Sequence, residues 1–524
     1  MADDRRVLPM GDRAWLVELP DLDDALRLFA SVTAAHLPGV VEAVPAARTV
    51  LVKFDPLTTT ADELGTRLAS LPAAPGAAAS GRLVTIAVHY DGDDLAEVAE
   101  LLGLSESEVI DRHTAATYRV AFGGFAPGFA YLTGGDLIFD VPRRSSPRTR
   151  IAAGSVALAG RFSAVYPRES PGGWQLIGRT DQAMWNLDRD PPAALQPGDR
   201  VRFVEAGDPP SVEPAETPTD PPPVEPAETP AAALEIVSVG AQALLQDDGR
   251  PGRAAMGVPG SGALDRFALH QANRLVGNPS GTVAIEFAFG GAVRALADVV
   301  VCVSGERTSV ALTHADGRTT PITHPTPVHL HSGDTLTISP GRGVRTYLAV
   351  RGGFDVPAVL GSRSSDVLSG IGPAPLRAGA GLAIAAPAGP STVGEPEPWP
   401  RRLSAGVIEL PVMLGPRDDW FTDVDELFAQ PWTVTPQSNR VGLRLRGHRP
   451  LTRAIDHELP SEGMVAGAVQ VPPDGQPVLF LADHPVTGGY PVIAVLHSSA
   501  LDKAGQLAPD QVVRFVRASG STPL

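Results

Sequence analysis

A proline-rich, acidic segment near the middle of the chain constrains its fold more than any other feature. Residues 208–230 contain nine prolines and six acidic residues but no basic residue, and the string VEPAETP occurs twice within them. Such a composition favours an extended, solvated chain over a packed core. The sequence therefore predicts two halves that fold separately, joined by a linker that we place at residues 207–233.

Composition narrows the class of protein. The chain has 524 residues, 43% of them hydrophobic, which is enough apolar material for several cores. Its formal net charge of −16 disfavours binding to nucleic acid or to an anionic membrane. The single cysteine, Cys302, excludes an intrachain disulfide. We find no apolar run of about 18 residues and no signal-peptide pattern at the start, so we expect a cytoplasmic protein.

Two absences limit the chemistry. Lys53 and Lys503 are the only lysines among 43 basic residues, and neither follows a methionine, so we expect no covalent biotin on this chain. The sequence also lacks the G-x-x-x-x-G-K-[ST] string, so any ATP chemistry here does not use a P-loop.

The strand and helix patterns predict a mostly β protein with an α+β part. Residues 1–80 alternate strand and helix signals, with a capping box at Thr60–Glu63, and suit a small α+β N-terminal domain. Residues 81–206 add two helices, the second capped at Ser105–Glu108, and then short strands with many glycines and prolines. That pattern is typical of an antiparallel barrel or sandwich, and it continues over 234–390 and 403–524. Helices are predicted in this second half at 264–277 and 419–429.

Internal repeats indicate that barrel-like units are duplicated. TYRVAFGGF at 117–125 recurs as TYLAVRGGF at 346–354, and SPGGWQLIG at 170–178 is echoed by VTGGYPVIA at 486–494. The latter two strings each follow a G-[SA]-V strand by about twenty residues, so the order of the motifs also repeats.

The first half contains a dense Gly-Pro-Arg constellation, FGGFAPGFAYL, VPRRSSPR and SPGGWQLIGRT. Paired glycines let backbone N–H groups form anion-binding nests, and arginines clamp carboxylates or phosphates. The same glycines would also serve simply to turn tight barrel corners. His113, on a predicted helix, is either a core residue or a proton carrier. The candidate anion-binding residues here are Arg143, Arg148, Gly172 and Gly173.

The second half contains three further strings with polar groups beside glycines: QDDGRPGRAAMGVPGSGALD, VRGGF followed by GSRSSD, and SEGMVAGAVQVPPDGQP followed by DHPVTGGYP. Asp265 suits the N-cap of the following helix, and the lead-in suits an anion, although a plain capped helix explains it equally. An acid, an amide and a hydroxyl beside a glycine pair suit amide-bond activation, although such loop polars are often merely exposed. The candidate binding residues are Arg250, Arg351, Arg363, Gln470, Thr487, Gly488 and Gly489, and the candidate catalytic residues are Glu462, Asp483 and, from the first half, His113.

The string HPTPVHLH, from His324 to His331, is the one pattern that suggests a metal site. It would place His329 and His331 on one strand face. Because no carboxylate pattern lies nearby in the sequence, we predict no metal site.

These strings together resemble the Kip family over nearly the whole chain outside the linker. The first half is similar to KipI, which is the B component of bacterial 5-oxoprolinase (PxpB) and is also called allophanate hydrolase subunit 1. The second half is similar to KipA, the C component (PxpC). The pair of modules also resembles the carboxyltransferase region of urea carboxylase.

The resemblance implies a small α+β domain followed by three cyclophilin-like β-barrel units. It also implies ATP-dependent hydrolysis of 5-oxoproline to glutamate, with ATP and Mg²⁺ as co-substrate, a small anionic substrate and a partner protein of the YcsF (PxpA) type. In this scheme the arginine and Gly-Gly cradles hold phosphate and carboxylate, and an Asp, Glu or His activates water. Both a monomer and a homo-oligomer are compatible with the sequence.

One departure and two alternatives remain. The family usually has a Gln-Thr pair where this chain has Phe162 and Ser163, which puts the substrate in question. A biotin-dependent carboxyltransferase or allophanate-type component would need partner chains that supply biotin. A KipI-like inhibitor of a histidine kinase, antagonised by its KipA-like half, would not be an enzyme.

Overall fold

The computed structural model describes residues 5–74, 81–144, 146, 148–207, 231–387, 389, 391–397 and 403–518. Of the predicted linker at 207–233, residues 208–230 lie outside the described residues. The described sheets form four groups, which we call the N-terminal unit (5–74), the first barrel (81–207), the sandwich unit (231–387) and the C-terminal barrel (403–518). The predicted fold class, mostly β with a small α+β part, is confirmed. Among the described residues, no helix combines the length and the apolar character needed to cross a membrane.

The N-terminal unit is a four-stranded sheet, ordered β1-β2-β4-β3, with two helices packed on it. Its elements are β1 (Arg6–Pro9), β2 (Ala14–Glu18), α1 (Leu22–Ala35), β3 (Val40–Pro45), β4 (Thr49–Phe54) and α2 (Ala61–Ser70). The predicted capping box is present, because the Thr60 side chain accepts from the Glu63 N–H and the Glu63 side chain accepts from the Thr60 N–H. Leu28, Val50 and Leu64 lie in one core between the helices and the sheet.

The first barrel is a seven-stranded sheet, ordered β12-β9-β10-β7-β6-β13-β5, beside the pair β11-β8. Its elements are β5 (Leu83–Val88), α3 (Leu95–Leu102), α4 (Glu106–Ala115), β6 (Tyr118–Gly123), β7 (Ala130–Thr133), β8 (Arg148–Ile151), β9 (Ser155–Ala159), β10 (Phe162–Val165), β11 (Ser170–Gly172), β12 (Gln175–Arg179) and β13 (Arg200–Glu205). Two hydrogen bonds between the backbones of His89 and Arg179, both 2.8 Å, join the two edges of this sheet. The predicted cap of α4 at Ser105 is also present.

The sandwich unit places a six-stranded sheet (β20-β19-β22-β17-β14-β24) and a five-stranded sheet (β15-β16-β23-β18-β21) around one core that includes Phe287, Leu336 and Leu348. Its elements are β14 (Leu234–Ser238), β15 (Gln242–Gln246), α5 (Arg266–Leu275), β16 (Ala284–Ala288), β17 (Gly291–Ala295), β18 (Val299–Gly305), β19 (Val310–Thr313), β20 (Thr319–Ile322), β21 (Pro327–Leu330), β22 (Thr335–Ile338), β23 (Arg345–Val350) and β24 (Gly381–Leu382). Asp265 caps α5, as predicted, by accepting from the Ala268 N–H at 2.9 Å.

The C-terminal barrel is closed in the order β25-β32-β29-β30-β27-β26-β33, beside the pair β28-β31. Its elements are β25 (Ile408–Leu414), α6 (Glu426–Ala429), β26 (Trp432–Val434), β27 (Gly442–Arg446), β28 (Glu462–Gly463), β29 (Ala468–Gln470), β30 (Val478–Phe480), β31 (Thr487–Gly488), β32 (Val492–Leu496), α7 (Leu501–Gly505) and β33 (Val512–Arg517). The predicted helix at 419–429 is wrong for most of its length. Phe421 forms a β-bridge with Arg453, and this extended pairing leaves only α6 and a 3₁₀ turn at Asp418–Trp420.

The two barrels share one topology, which explains the repeat of SPGGWQLIG as VTGGYPVIA; the other repeat relates β6 of the first barrel to β23 of the sandwich unit. If the seven main strands of each are numbered in chain order, both sheets run 6-4-5-3-2-7-1, and in both the first and last strands pair in parallel. The repeated strings occupy equivalent places, because the G-[SA]-V strand pairs with the strand after the Gly-Gly turn in each barrel (β9 with β12, β29 with β32). The predicted duplication of a barrel-like unit is therefore present.

The first and last units of the chain pack against each other. Met10, Leu16 and Leu51 of the N-terminal unit share an apolar cluster with Met464 and Val495 of the C-terminal barrel. Burial of such apolar surface stabilises the contact by about 25 cal/mol for each Å² removed from water. This contact brings the motif-bearing loops of both halves close together.

Candidate functional site

The Gly-Gly loop after β6 meets the Gly-Gly loop of the C-terminal barrel. The backbone N–H of Phe125 donates to Thr487 Oγ1 at 3.1 Å. A Cβ atom built on Gly124 would lie 2.5 Å from the same oxygen, so the close approach requires glycine there. Two predicted strings separated by more than 300 residues therefore form one contact, which we call the junction.

A third string also reaches the junction. The Gly128 N–H donates to the Met256 carbonyl at 3.1 Å. A Cβ atom on Gly257, whose φ is +76°, would lie 2.3 Å from the Ala126 carbonyl oxygen. The string GVPGSGALD thus begins against the loop FGGFAPGF.

Arg143 is the arginine of the first half that faces the junction. Its Nη1 lies 3.8 Å from the position of a Cβ on Gly489, and its Nε lies 3.9 Å from Glu458. Arg148 is held elsewhere, because it donates to both carboxylate oxygens of Asp94 at 2.8 and 2.7 Å. Its guanidinium therefore anchors the barrel wall and is not free for a ligand.

The predicted glycines and Gln470 shape the loops of the two barrels. Gly172 pairs with Arg148 across β11 and β8, and the Gly173 carbonyl accepts from the Arg144 N–H. Gly488 pairs with Glu462 across β31 and β28. Gln470 Nε2 donates to the Tyr490 carbonyl at 2.9 Å and so fixes the loop that carries Gly488 and Gly489.

Glu462 lies at a cavity of about 210 Å³ between the N-terminal unit and the C-terminal barrel. Arg417 Nε donates to both of its oxygens, at 3.0 and 3.2 Å, and Arg417 Nη2 reaches Glu18 at 3.2 Å. Burial raises the pKa of Glu462, and the Arg417 charge offsets only part of that effect. The cavity therefore has a buried ion-pair wall, which its other charged lining residues, Arg6, Arg48 and Asp419, extend.

Asp483, the second predicted catalytic residue, is fully buried between the C-terminal barrel and the sandwich unit. It accepts from Arg440 Nε at 2.9 Å, from Ser261 Oγ at 2.7 Å and from the Val367 N–H at 3.1 Å. Its hydrogen bonds therefore connect Arg440, Ser261 and the backbone of Val367.

Arg250, six positions before Met256 at the junction, is buried but incompletely paired. Its Nη2 donates to the Ser364 carbonyl, while its Nε and Nη1 have no hydrogen-bond partner within the described part of the chain. Burial lowers the pKa of Arg250, and the charges of Asp366, Asp247 and Asp483 offset only part of the effect. These two nitrogens leave Arg250 with unused capacity to donate hydrogen bonds to an added oxyanion.

Asp366 lies beside Arg250 and is the functional candidate to which the sequence interpretation gave no catalytic role. Its Oδ1 accepts from the N–H groups of Leu368 and Ser369, both at 3.0 Å, whereas Oδ2 has no hydrogen-bond partner in the described residues. Burial, and then the Asp483 charge, raise the pKa of Asp366 to about 6. An acid that titrates near neutral pH is suited to proton transfer.

Two further polar atoms have no hydrogen-bond partner in the described residues: Ser365 Oγ, next to Asp366 in the chain, and Oε1 of Gln246, whose Nε2 donates to the Ser365 carbonyl at 2.8 Å. Buried polar atoms almost always have partners, so several unpaired ones together indicate a place for a polar ligand or water. We call Gln246, Arg250, Ser365, Asp366 and Ser369 the Arg250 cluster. The string SSD in the sequence was the signal that could have identified it.

His113 lies in the core of the first barrel and away from the junction loops. Its Nδ1 is 2.7 Å from Tyr90 Oη, its Nε2 is 3.0 Å from Ser163 Oγ, and its ring stacks on Phe203. Burial lowers the pKa of His113 to about 3, so the ring stays neutral. This placement favours the core role over that of a proton carrier.

The Phe162–Ser163 departure is also part of this core. Ser163 is the residue that contacts His113, and Phe162 makes edge contacts with Phe122 and Tyr131. Both side chains therefore contribute packing in the first barrel.

The remaining predicted arginines make structural contacts. Arg351 donates to the carbonyls of Val276 at 3.0 Å and Ser391 at 2.5 Å, near the end of α5. Arg363 is exposed, and its Nε donates to the Val356 carbonyl at 2.8 Å. The structure thus brings Arg143, Thr487, Gly488 and Gly489 together at the junction and Arg250 near Asp483, but leaves His113, Arg148, Arg351 and Arg363 outside both groups.

Comparison with known proteins matches this arrangement. The family model of the carboxyltransferase domain, subdomains A and B, matches residues 256–517, and that of subdomains C and D matches residues 5–195. The chain belongs to the carboxyltransferase-domain family. The crystal structure of the protein TTHA0988 is similar to this chain, with a TM-score of 0.82 and 35% sequence identity. The match covers 96% of this chain and 99% of TTHA0988.

Relatives within the family divide between the two halves. The B component of 5-oxoprolinase from Bacillus subtilis is 37% identical over 218 residues, which are 37% of this chain and 90% of that protein. The C component of 5-oxoprolinase from Escherichia coli is 36% identical over 296 residues, which are 55% of this chain and 91% of that protein. Urea amidolyase of Lachancea kluyveri is 33% identical over 54% of this chain but only 17% of its own length. This carboxyltransferase-family chain therefore joins regions similar to the B and C components in one polypeptide.

Proposed function

We propose that this chain is the fused B–C component of an ATP-dependent 5-oxoprolinase that opens the lactam to glutamate. The observation that carries the proposal is the junction, where a loop of the half similar to the B component donates a hydrogen bond to Thr487 of the half similar to the C component. In the 5-oxoprolinase relatives from Bacillus subtilis and Escherichia coli, the B and C components are separate proteins, each matching one half of this chain. A fusion keeps them at equal amounts and at a high effective concentration.

The proposed chemistry begins with transfer of the ATP γ-phosphoryl group, with Mg²⁺, to the lactam oxygen. That transfer releases ADP. Water then adds to the lactam carbon, and the C–N bond breaks with protonation of the nitrogen to give an acyl phosphate of glutamate. A second water hydrolyses this acyl phosphate to glutamate and inorganic phosphate. The free donors of Arg250 are the proposed oxyanion site, because preorganised donors stabilise developing negative charge. Asp366 is the proposed water base, since its raised pKa matches that role. Asp483 is a proposed positioning residue, which holds Ser261 and Arg440.

The test is release of ADP and glutamate from 5-oxoproline and ATP, with the purified chain alone and with a YcsF-type partner. We expect turnover only with the partner. Arg250→Met should lower it by about 100-fold, as loss of one oxyanion donor does in other hydrolases. The matched control is Arg363→Met, which changes an exposed arginine in the neighbouring loop and should stay near the unsubstituted rate.

Two results would contradict the proposal. The first is a folded chain that turns over no 5-oxoproline in either mixture. The second is an Arg250→Met variant that keeps full activity, which would remove the Arg250 cluster from the mechanism even if the reaction itself were found.

Carboxyl transfer is the second candidate, because the matching family models are those of a carboxyltransferase and urea amidolyase is a relative. It would require a biotinylated carrier on another chain. Detection of a biotinylated protein that co-purifies with this chain, together with bicarbonate-dependent transfer to an amide, would favour this candidate over lactam hydrolysis.

A further inference from the structure

Two exposed histidines lie beside a carboxylate on the edge strand of the five-stranded sheet of the sandwich unit. The strand is β21, and the residues are His329 within it, His331 just after it, and Asp298 just before β18. None of the three belongs to the junction or to the Arg250 cluster. The sequence analysis noted this histidine string but predicted no metal site, because no carboxylate pattern lies near it in the sequence.

Strand register makes this grouping a property of the backbone. β18 pairs with β21 antiparallel, with Val299 opposite Leu330 and Val300 opposite His329. Continued by one step, the same register sets Asp298 opposite His331. Because side chains alternate between the two faces of a strand, His329 and His331 project to the same side.

The side-chain geometry agrees with the register. His331 Nδ1 lies 3.5 Å from Asp298 Oδ2, and the rings of His329 and His331 have centroids 4.4 Å apart. One ligand atom from each of the three residues lies within 4.8 Å of the others. Ligands bound tetrahedrally to zinc at about 2.0 Å stand about 3.4 Å apart, so small rotations of exposed side chains would complete the site.

Asp298 is oriented toward the histidines by the backbone. Its Oδ1 accepts from the Ser332 N–H at 3.0 Å, which leaves Oδ2 directed at His331. A hydrogen-bonded carboxylate of this kind is a well-positioned metal ligand.

We propose that Asp298, His329 and His331 form a surface site for a divalent transition-metal cation, with Zn²⁺ as the probe. Two imidazole nitrogens and one carboxylate oxygen suit zinc, nickel or copper better than magnesium or calcium. Three protein ligands leave at least one position for water or a further ligand.

The test is calorimetric titration of the full chain with Zn²⁺ after removal of bound metal by a chelator. We expect one Zn²⁺ per chain at this site. His329→Ala and His331→Ala should each weaken binding by at least about tenfold, and Asp298→Asn should also weaken it, because each removes one ligand. Since the three side chains are exposed, the folding of these variants should be unchanged, which circular dichroism would verify.

The matched control is His448→Ala, which removes an exposed histidine of the C-terminal barrel and should bind Zn²⁺ like the unsubstituted chain. A visible absorption band of bound Co²⁺ that disappears in His331→Ala but not in His448→Ala would locate the metal independently. The proposal is overturned if the unsubstituted chain binds no Zn²⁺, or if both histidine variants of the site bind it with unchanged affinity.

Discussion

Arg440 and Arg250 are both buried, and both lie near Asp483, yet they differ in how fully they are paired. Arg440 donates to Asp483, to Glu286 and to the Gly262 carbonyl. Arg250 donates to the Ser364 carbonyl only, and two of its nitrogens have no hydrogen-bond partner in the described residues. Burial alone therefore does not identify a functional arginine. The two residues differ in how many of their hydrogen-bond donors are unused.

The pKa shifts of Arg440 and Arg250 also differ. Burial opposes the charge of Arg440, but Asp483 and Glu286 outweigh it and hold its pKa above the ordinary value. For Arg250 burial prevails, and the pKa is lowered. The charge of Arg440 is therefore balanced by carboxylates of the fold, whereas an added anion would stabilise the charged form of Arg250.

The largest predicted effect is that of Arg440→Met on stability. The substitution leaves Asp483 and Glu286 as buried carboxylates without their main partner, which costs about 3–5 kcal/mol in comparable buried pairs. Urea denaturation would measure the loss in free energy of unfolding. Arg446→Met, an exposed change at the end of β27, is the control and should change it little. Equal stability of Arg440→Met and the unsubstituted chain would contradict the claim that the paired arginine stabilises the fold.

Arg250→Met should destabilise the chain less, by about 1–3 kcal/mol, because among the described residues it removes one hydrogen bond and no ion pair. It should also abolish stabilisation by anions. If inorganic phosphate binds Arg250, phosphate at about ten times its Kd adds about 1.4 kcal/mol to the unsubstituted chain and nothing to the variant. Thermal unfolding with and without phosphate measures this, and an identical response in both proteins would count against the oxyanion site.

Asp366→Asn tests the carboxyl group near Arg250 through the pH dependence of the free energy of unfolding. The raised pKa means that the folded chain favours the neutral acid, so the contribution of Asp366 to stability is full below about pH 4 and is lost as pH rises through about 6. The amide has no charge to bury, so the variant should be more stable than the unsubstituted chain above that range. The upper limit is about 3 kcal/mol, and the two should converge at acid pH.

Unfolding free energies at about pH 4 and pH 7.5 would measure this divergence. The exposed Asp456→Asn change is the control and should show none. A stability difference between Asp366→Asn and the unsubstituted chain that does not vary with pH would mean that the carboxyl is not strained by burial.

Local sequence patterns predicted the local structure well. The caps at Thr60, Ser105 and Asp265 are all present, because each depends on residues within one helical turn. The motif repeats also indicated correctly that a barrel-like unit is duplicated, because strands in equivalent places need the same turns. The predicted helix at 419–429 was too long, because bridging to a distant segment overrides helix propensity. Only residues 426–429 of it are α-helical.

Partners across the chain could not be predicted in this way. Arg148 looked free for a ligand, but Asp94, 54 positions earlier, binds it. Arg417 reaches Glu18 across 399 positions, and Asp298 meets His331 only through strand register. For the same reason, the prediction of Asp483 as a catalytic residue could not take into account that hydrogen bonds occupy its oxygens, whereas Asp366 Oδ2 has no hydrogen-bond partner in the described residues.

The smallest predicted effect concerns Thr487, four positions after Asp483. Thr487→Val keeps the shape but removes the acceptor for the Phe125 N–H, which should cost about 1 kcal/mol of stability. Thr487→Ser retains the hydroxyl and is the matched control. If the junction is where the two halves act together, the Val variant should lose more turnover with the YcsF-type partner than its stability loss explains, whereas the Ser variant should not. Equal turnover in both variants would confine function to the Arg250 cluster and leave the junction as packing between the two halves.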